Sequence, residues 1–287
     1  MGNGWHEWPL MIFTVLGQCV VGGLLVVALV LLSGRLDGPQ TRRLQRAMFF
    51  LWLLMGLGFI ASVMHLGSPL RAINALNRLG DSALSNEIAA GSLFFMLGGL
   101  YWLLAVLNRL PAAPGKVLLI ATMLTGMLFI YTMCRVYAIN TVPTWDNGYT
   151  AWHFVLTLLA GGPVLGTLLL RIAGVEIDRD LRGLALVSVL ALLISMVVSL
   201  MQASGLAAIA GPLQPASALV PYYGGWQAAR LLLLALGLGC WICPLLLRKT
   251  PAVGALALAT SLVLGGELIG RALFYGLHMT VGMAIAG

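Results

Sequence analysis

Charge is what this chain lacks. Only 9% of its 287 residues are Asp, Glu, Lys or Arg, against about 25% in soluble domains. So few charges cannot clothe a water-facing surface, which excludes an ordinary soluble domain. Cysteine is scarce too: Cys19, Cys134, Cys240 and Cys243 all lie in or at the ends of apolar stretches and make no disulfide framework. Cys240-Trp-Ile-Cys243 has redox or metal spacing but no second ligand pair, so it reads as packing, and no metal site is expected. No Lys or Arg occurs in residues 1–9, so the start does not read as a cleaved leader. Long polar stretches are absent as well, which leaves no room for a nucleotide-binding fold or an iron–sulfur module. A net charge of +7 would suggest nucleic acid in a soluble protein. Here the basic residues sit between apolar runs and read as topology signals, so no nucleic-acid partner is expected.

Apolar and aromatic residues make up 60% of the chain. They gather into runs at 10–32, 47–66, 87–107, 116–136, 151–171, 183–203, 229–247 and 252–275, each near the roughly 20 residues that span a bilayer as helix. The runs are continuous rather than alternating, which excludes a barrel. The expected fold is an all-α integral membrane protein, one polytopic domain over 1–287 with eight transmembrane helices. Alternate connections carry Arg35, Arg42, Arg43, Arg46, Arg109, Lys116, Arg171, Arg179, Arg182, Arg248 and Lys249, whereas Arg71, Arg78, Arg135, Arg230 and Arg271 lie opposite or within spans. The positive-inside rule then puts both termini outside the cytoplasm. A short echo, Ser62-Val-Met-His65 against Ser199-Leu-Met-Gln202 and Ser82-Ala-Leu84 against Ser217-Ala-Leu219, points to two four-helix halves. Paired glycines such as Gly56/Gly58, Gly98/Gly99 and Gly265/Gly266 read as close helix packing.

The outer connections at 67–86, 137–150 and 204–228 are the long ones, and the last has no charged residue. Apolar residues there, Leu213, Val220, Tyr222, Tyr223 and Trp226 among them, would make a patch that soluble faces rarely expose. The segment is therefore expected either to re-enter the bundle or to dock a partner.

The titratable groups share that face. His65 lies 19 residues, roughly 28 Å of helix, beyond Arg46. Glu87 opens the third span behind Ser85, His153 begins the fifth, His278 follows the eighth, and His6 and Glu7 precede the first. Each also fits a bland role: a first-turn carboxylate favoured by the helix dipole, or interfacial histidines with wet tips. Their convergence points to a site. Glu267, Arg271, Tyr275 and His278 recur at steps of four, four and three, one face of the eighth span, where a Glu–Arg set must face the interior as an ion pair or a ligand site.

Five segments carry a resemblance. They are Met1-Gly-Asn-Gly-Trp-His-Glu-Trp-Pro-Leu10, Gly58-Phe-Ile-Ala-Ser-Val-Met-His-Leu-Gly-Ser-Pro69, Ala83-Leu-Ser-Asn-Glu-Ile-Ala89, Thr141-Val-Pro-Thr-Trp145, and the ending through Gly266-Glu-Leu-Ile-Gly-Arg271 and Phe274-Tyr-Gly-Leu-His-Met-Thr-Val-Gly-Met283. Together they resemble the membrane-anchor subunits of the dimethyl sulfoxide reductase family (DmsC or YnfH type). The resemblance implies an anchor without haem or iron–sulfur cluster that oxidises menaquinol. Electrons would pass to a [4Fe–4S] partner subunit and on to a molybdopterin catalytic subunit. It also implies a bacterial inner membrane with periplasmic termini, and that His65 and Glu87 bind the quinol. By their chemistry either can take its proton, and Glu267, Arg271, Tyr275, His278 and His153 are the candidates for contacts around it. Tyr222 departs from an expected Asp, which bears on partner docking. The residues leave two competitors: a single-haem b-type cytochrome anchor with axial ligands among His65, His153 and His278, and a secondary transporter with spans broken at Pro163 and Pro244.

Overall fold

The computed structural model describes residues 2–65, 74, 77–176, 179–206, 208–209 and 215–280, with backbone alone at 179–181. After a 3-10 turn at Gly2–Glu7 come α1 (Trp8–Leu32), α2 (Gly38–Ala47), α3 (Phe49–Met64), α4 (Ala83–Val106), α5 (Ala112–Val136), α6 (Gly148–Ile172), α7 (Arg179–Leu206), α8 (Tyr223–Leu246) and α9 (Val253–Gly276). α2 and α3 follow one another as a single rod, so among the described residues eight stretches are long and apolar enough to cross a membrane.

The spans appear where hydropathy places them, but several begin earlier than their apolar runs. α2 covers the basic stretch read as connection: Asp37 accepts the Gln40 amide at 2.6 Å, Gln40 Oε1 accepts the Asp37 amide at 3.3 Å, and Pro39 sits in the first turn. α4 starts at Ala83 with Ser82, not Ser85, as its cap. Ser85 is buried inside the helix, and Glu87 is its fifth residue rather than its first.

α1 and α6 form the centre. About 67% and 72% of their most apolar windows are buried, against 28–39% in the other spans. Small residues let the two backbones touch: a Cβ on Gly22 would stand 2.6 Å from the Leu158 carbonyl oxygen, and one on Gly162 would stand 2.5 Å from Gly22 Cα. Of the paired glycines noted above, Gly98 abuts the Trp52 indole and Gly266 the Arg230 carbonyl, whereas Gly99 meets nothing and Gly56 and Gly265 have only loose neighbours. The remaining spans turn residues such as Ile60, Leu124 and Val117 outward, as lipid-facing helices do.

Neither proline breaks its span, contrary to what a transporter's discontinuous helices would require. Pro163 cannot donate to the Leu159 carbonyl, and the Ser188 hydroxyl of α7 does so instead at 3.0 Å. α8 continues through Pro244 to Leu246.

The uncharged outer segment is shorter than the sequence suggests, since α7 runs to Leu206 and α8 begins at Tyr223. Its described part folds onto the bundle: Ala216 and Val220 are buried with Leu273 and Leu277 at the end of α9. The N-terminal turn lies there too, with Gly4 so close to the Ala272 carbonyl that no Cβ would fit.

Candidate functional site

Seven connecting segments make the chain reverse at alternate ends of the bundle, so the N-terminal turn, His65, the starts of α4, α6 and α8, and the end of α9 share one end. The buried Glu87, His153, Arg230, Glu267 and Arg271 lie in that half, in two clusters.

The first lies between α1, α4, α5 and α9. Glu87 is 4% exposed, and its Oε1 has no hydrogen-bond partner among the described residues. Its carboxyl lies within electrostatic range of Tyr137, Tyr275 and Cys134. The Tyr137 and Tyr275 hydroxyls are hydrogen-bonded to each other. Burial pushes the Tyr137 phenol well above its ordinary value; Tyr275 and Glu87 add to the rise and Arg271 opposes it. Trp145 closes this cluster on one side, donating its indole N–H to the Phe274 carbonyl at 2.8 Å and lying 4.6 Å, centre to centre, from the His278 ring. Arg271 is buried, with Nη2 donating to Gln18 Oε1 at 2.7 Å and the guanidinium 3.8 Å above the Phe154 ring. Its Nε and Nη1 have no partner among the described residues.

The second cluster lies between α6, α7, α8 and α9. Glu267 accepts the Thr157 hydroxyl at 2.6 Å and pairs with Arg230 at 3.3 Å. Arg230 also donates to Ser195, Ser199 and Gln227. His153 shares a 2.8 Å hydrogen bond with Gln202, which also accepts from the Tyr223 hydroxyl.

The sequence-predicted residues therefore divide. Glu267 and Arg271, four apart on one helix face, do not pair with each other: Glu267 belongs to Arg230 and Arg271 to Gln18. His153 lies with the ion pair and not with Glu87. His65 ends α3, is 41% exposed at its side chain, and has Nδ1 3.3 Å from Glu7 Oε2. Tyr275 does join Glu87, through Tyr137. Among the docking residues, Leu213 lies outside the described residues, and Val220, 1% exposed, is covered by the chain's own α9 and so offers a partner no surface. Tyr223 and Trp226 are partly buried, and Tyr222, 87% exposed, stays open. Gln18, Tyr137, Trp145 and Arg230 escaped sequence reasoning as site residues. The signal was strongest for Arg230, a lone cation in an apolar span that had to find an acid.

The chemistry follows from what is left unpaired. Glu87 can accept a proton, and the Arg271 N–H groups and the tyrosine hydroxyls can hold ligand oxygens, in a buried part of the bundle.

Residues 1–277 match the family described as DMSO reductase anchor subunit (DmsC). Over its whole length the protein is 58% identical to YnfH, an anaerobic dimethyl sulfoxide reductase polypeptide of Escherichia coli K12. It is 56% identical to a second anaerobic dimethyl sulfoxide reductase polypeptide of that organism and 43% identical to the like-named one of Haemophilus influenzae Rd. Each comparison spans 287 residues and the whole of both proteins. With its eight membrane-length spans, the chain belongs to the DMSO reductase anchor subunit family, multi-pass proteins of the bacterial inner membrane.

Proposed function

We propose that this anchor binds menaquinol at the Glu87 cluster, oxidises it there, and passes the electrons to an iron–sulfur partner that feeds a molybdopterin catalytic subunit. The observation that carries the reading is the buried Glu87 carboxylate with an unpartnered oxygen, within electrostatic range of a hydrogen-bonded Tyr137–Tyr275 pair that Arg271 also influences. Oxidation of the quinol removes two electrons and two protons. The two hydroxyl protons pass in turn to Glu87, which gives up the first before the second arrives, and the tyrosine hydroxyls and the free N–H groups of Arg271 position the ring oxygens. His65, half exposed and facing Glu7, hands protons from the site to water at the bundle end. The basic residues gathered at the opposite end make this the periplasmic face, with both termini on it. Electrons leave to a partner docked on the same end, where Tyr222 stands clear of the fold.

Glu87→Gln in the assembled complex tests the reading. Glutamine keeps the size and hydrogen-bonding capacity of the side chain but cannot act as a carboxylate base, and Glu87 lies beyond the first turn of α4, so the change removes no first-turn dipole contact and leaves the helix intact. Quinol-driven turnover should be abolished while turnover driven by a dye that reduces the partner subunits directly is kept, and His65→Arg should behave alike. If both variants oxidise quinol at the unaltered rate, the site lies elsewhere.

A further inference from the structure

Between α5 and α6, at the same end of the bundle, a groove of about 380 Å³ opens toward the membrane. Its volume falls in the range of small-molecule sites. Met127, Tyr131, Ala151 and Val155 form its rim and are exposed on lipid-facing sides of the two helices, so a molecule dissolved in the bilayer reaches it without crossing water. Its polar residues include Arg135 in the last turn of α5, Asn147 in the connection that precedes α6 and Thr150 in that helix's first turn, so the groove grades from apolar along the span to polar at the bundle end.

The back of the groove is what sets it apart from an ordinary crease between helices. Cys134 and Trp145 line it. Trp145 is also in edge contact with both Tyr137, at 5.6 Å, and Tyr275, at 6.0 Å. Cys134, one α5 turn before Tyr137, lies within electrostatic range of Glu87 and Arg271. The groove and the first cluster therefore share Cys134 and Trp145 as a wall.

We infer that this groove holds the isoprenoid tail of the quinol, whose headgroup lies across the Cys134–Trp145 wall at Glu87. The inference rests on the function proposed above and adds to it the route by which a long-tailed, membrane-dissolved substrate reaches a buried carboxylate. A branched hydrocarbon suits the lining: the walls are apolar with aromatic edges, and the polar groups are confined to the end from which the headgroup turns inward. An ordinary phospholipid acyl chain would suit the apolar walls, but it would gain nothing from proximity to Glu87.

The test uses the intact complex with Ala151→Trp, which fills the groove from an exposed position on α6 and touches neither Glu87 nor the tyrosine pair. Turnover is measured with a tailless naphthoquinol and with the same headgroup carrying an isoprenoid tail. The KM for the tailed substrate should rise by about tenfold, the scale on which a blocked apolar subsite discriminates, while the tailless KM and dye-driven turnover stay as they were. An equal KM ratio in variant and parent overturns the inference. A second measurement does not depend on the variant: a naphthoquinone with a photoreactive group in its tail, illuminated in the unaltered complex, should label peptides of α5 and α6 near 127–138 and 147–155. Labelling confined to other helices, leaving the groove to lipid, also overturns it. Glu87→Gln run in parallel separates the two claims: if it abolishes quinol turnover while both groove tests fail, only the tail assignment falls.

Discussion

Arg230 and Glu267 make a sharp test of how the interior is held together. Both are nearly inaccessible, at 2% and 3% side-chain exposure, and they bridge α8 and α9 with 3.3 Å between charged atoms. Removing one partner of a buried pair typically costs about 3–5 kcal/mol, because the remaining charge is stranded. The two removals are not equivalent. In Arg230→Leu the stranded Glu267 carboxyl can take up a proton and keeps the Thr157 hydroxyl at 2.6 Å. In Glu267→Leu the guanidinium cannot shed its proton and keeps only neutral partners, Ser195, Ser199 and Gln227. Glu267→Leu should therefore be the more damaging change, at the upper end of that range. Arg230→Leu should fall below it, and the double variant should lie nearer the parent than Glu267→Leu does. The assay is reversible unfolding in mixed micelles by added ionic detergent, followed through tryptophan fluorescence, as a double-mutant cycle. A coupling below about 0.5 kcal/mol, or the reverse order of the two single variants, would refute the argument that the pair is electrostatically closed.

Three further outcomes follow from the packing and the charge distribution. Gly22→Ala places a Cβ against backbone of α6, so it should destabilise by about 1–3 kcal/mol or more in the same unfolding assay, while Gly99→Ala, which meets nothing within 4 Å, should be neutral or gain the roughly 1 kcal/mol that alanine offers over glycine in a helix. Ser188→Ala leaves the Leu159 carbonyl beneath Pro163 without a donor and should cost about 1 kcal/mol, again read from unfolding; a null result would mean that the freed carbonyl finds another partner. Reporters active only in the cytoplasm should score positive when fused after Arg42 or Arg179 and negative after Asp146 or Gly287, and the opposite pattern would move the Glu87 cluster to the cytoplasmic face.

The sequence made the spans legible because lipid demands long apolar helices and little else satisfies that demand. Span ends were less legible, since they depend on local hydrogen bonds that hydropathy ignores. The Asp37–Gln40 capping box extends helix into a basic stretch, Ser82 starts α4 a turn early, and Asn147 caps α6 by accepting the Tyr149 amide. Pairings were the least legible. The step of four from Glu267 to Arg271 places both on one face of α9, but a face is wide enough to meet two different neighbours. The rotation of α9 between α8 and α1 sends Glu267 to Arg230 and Arg271 to Gln18, 253 positions away in sequence. Val220 looks like an exposed apolar residue until the chain's own α9 and N-terminal turn are seen beside it.

That split on α9 also separates what holds the bundle from what can act. In the α6–α9 cluster the two charges face each other, and among the described residues Arg230 Nε is its one fully buried polar side-chain atom without a partner: this is how intramembrane charges behave when their task is cohesion. In the cluster between α1, α4, α5 and α9, a carboxylate and a guanidinium are both buried, yet they do not pair, and each leaves polar atoms without a protein partner among the described residues. A low-dielectric interior penalises such atoms by about 1–3 kcal/mol apiece, a cost that packing alone gives no reason to bear. The cost has a reason if those atoms serve a substrate with oxygens to hold and a proton to give, because pairing Arg271 to Glu87 directly would neutralise the base and occupy the donors. If Glu87 accepts the quinol proton as proposed, the hold of Gln18 and Phe154 on Arg271, which leaves the carboxylate without a guanidinium partner, is the geometric condition for it. Gln18→Leu, which removes the acceptor that holds Arg271 aside, should lower quinol turnover without touching the carboxylate, and unaltered turnover in that variant would count against the condition.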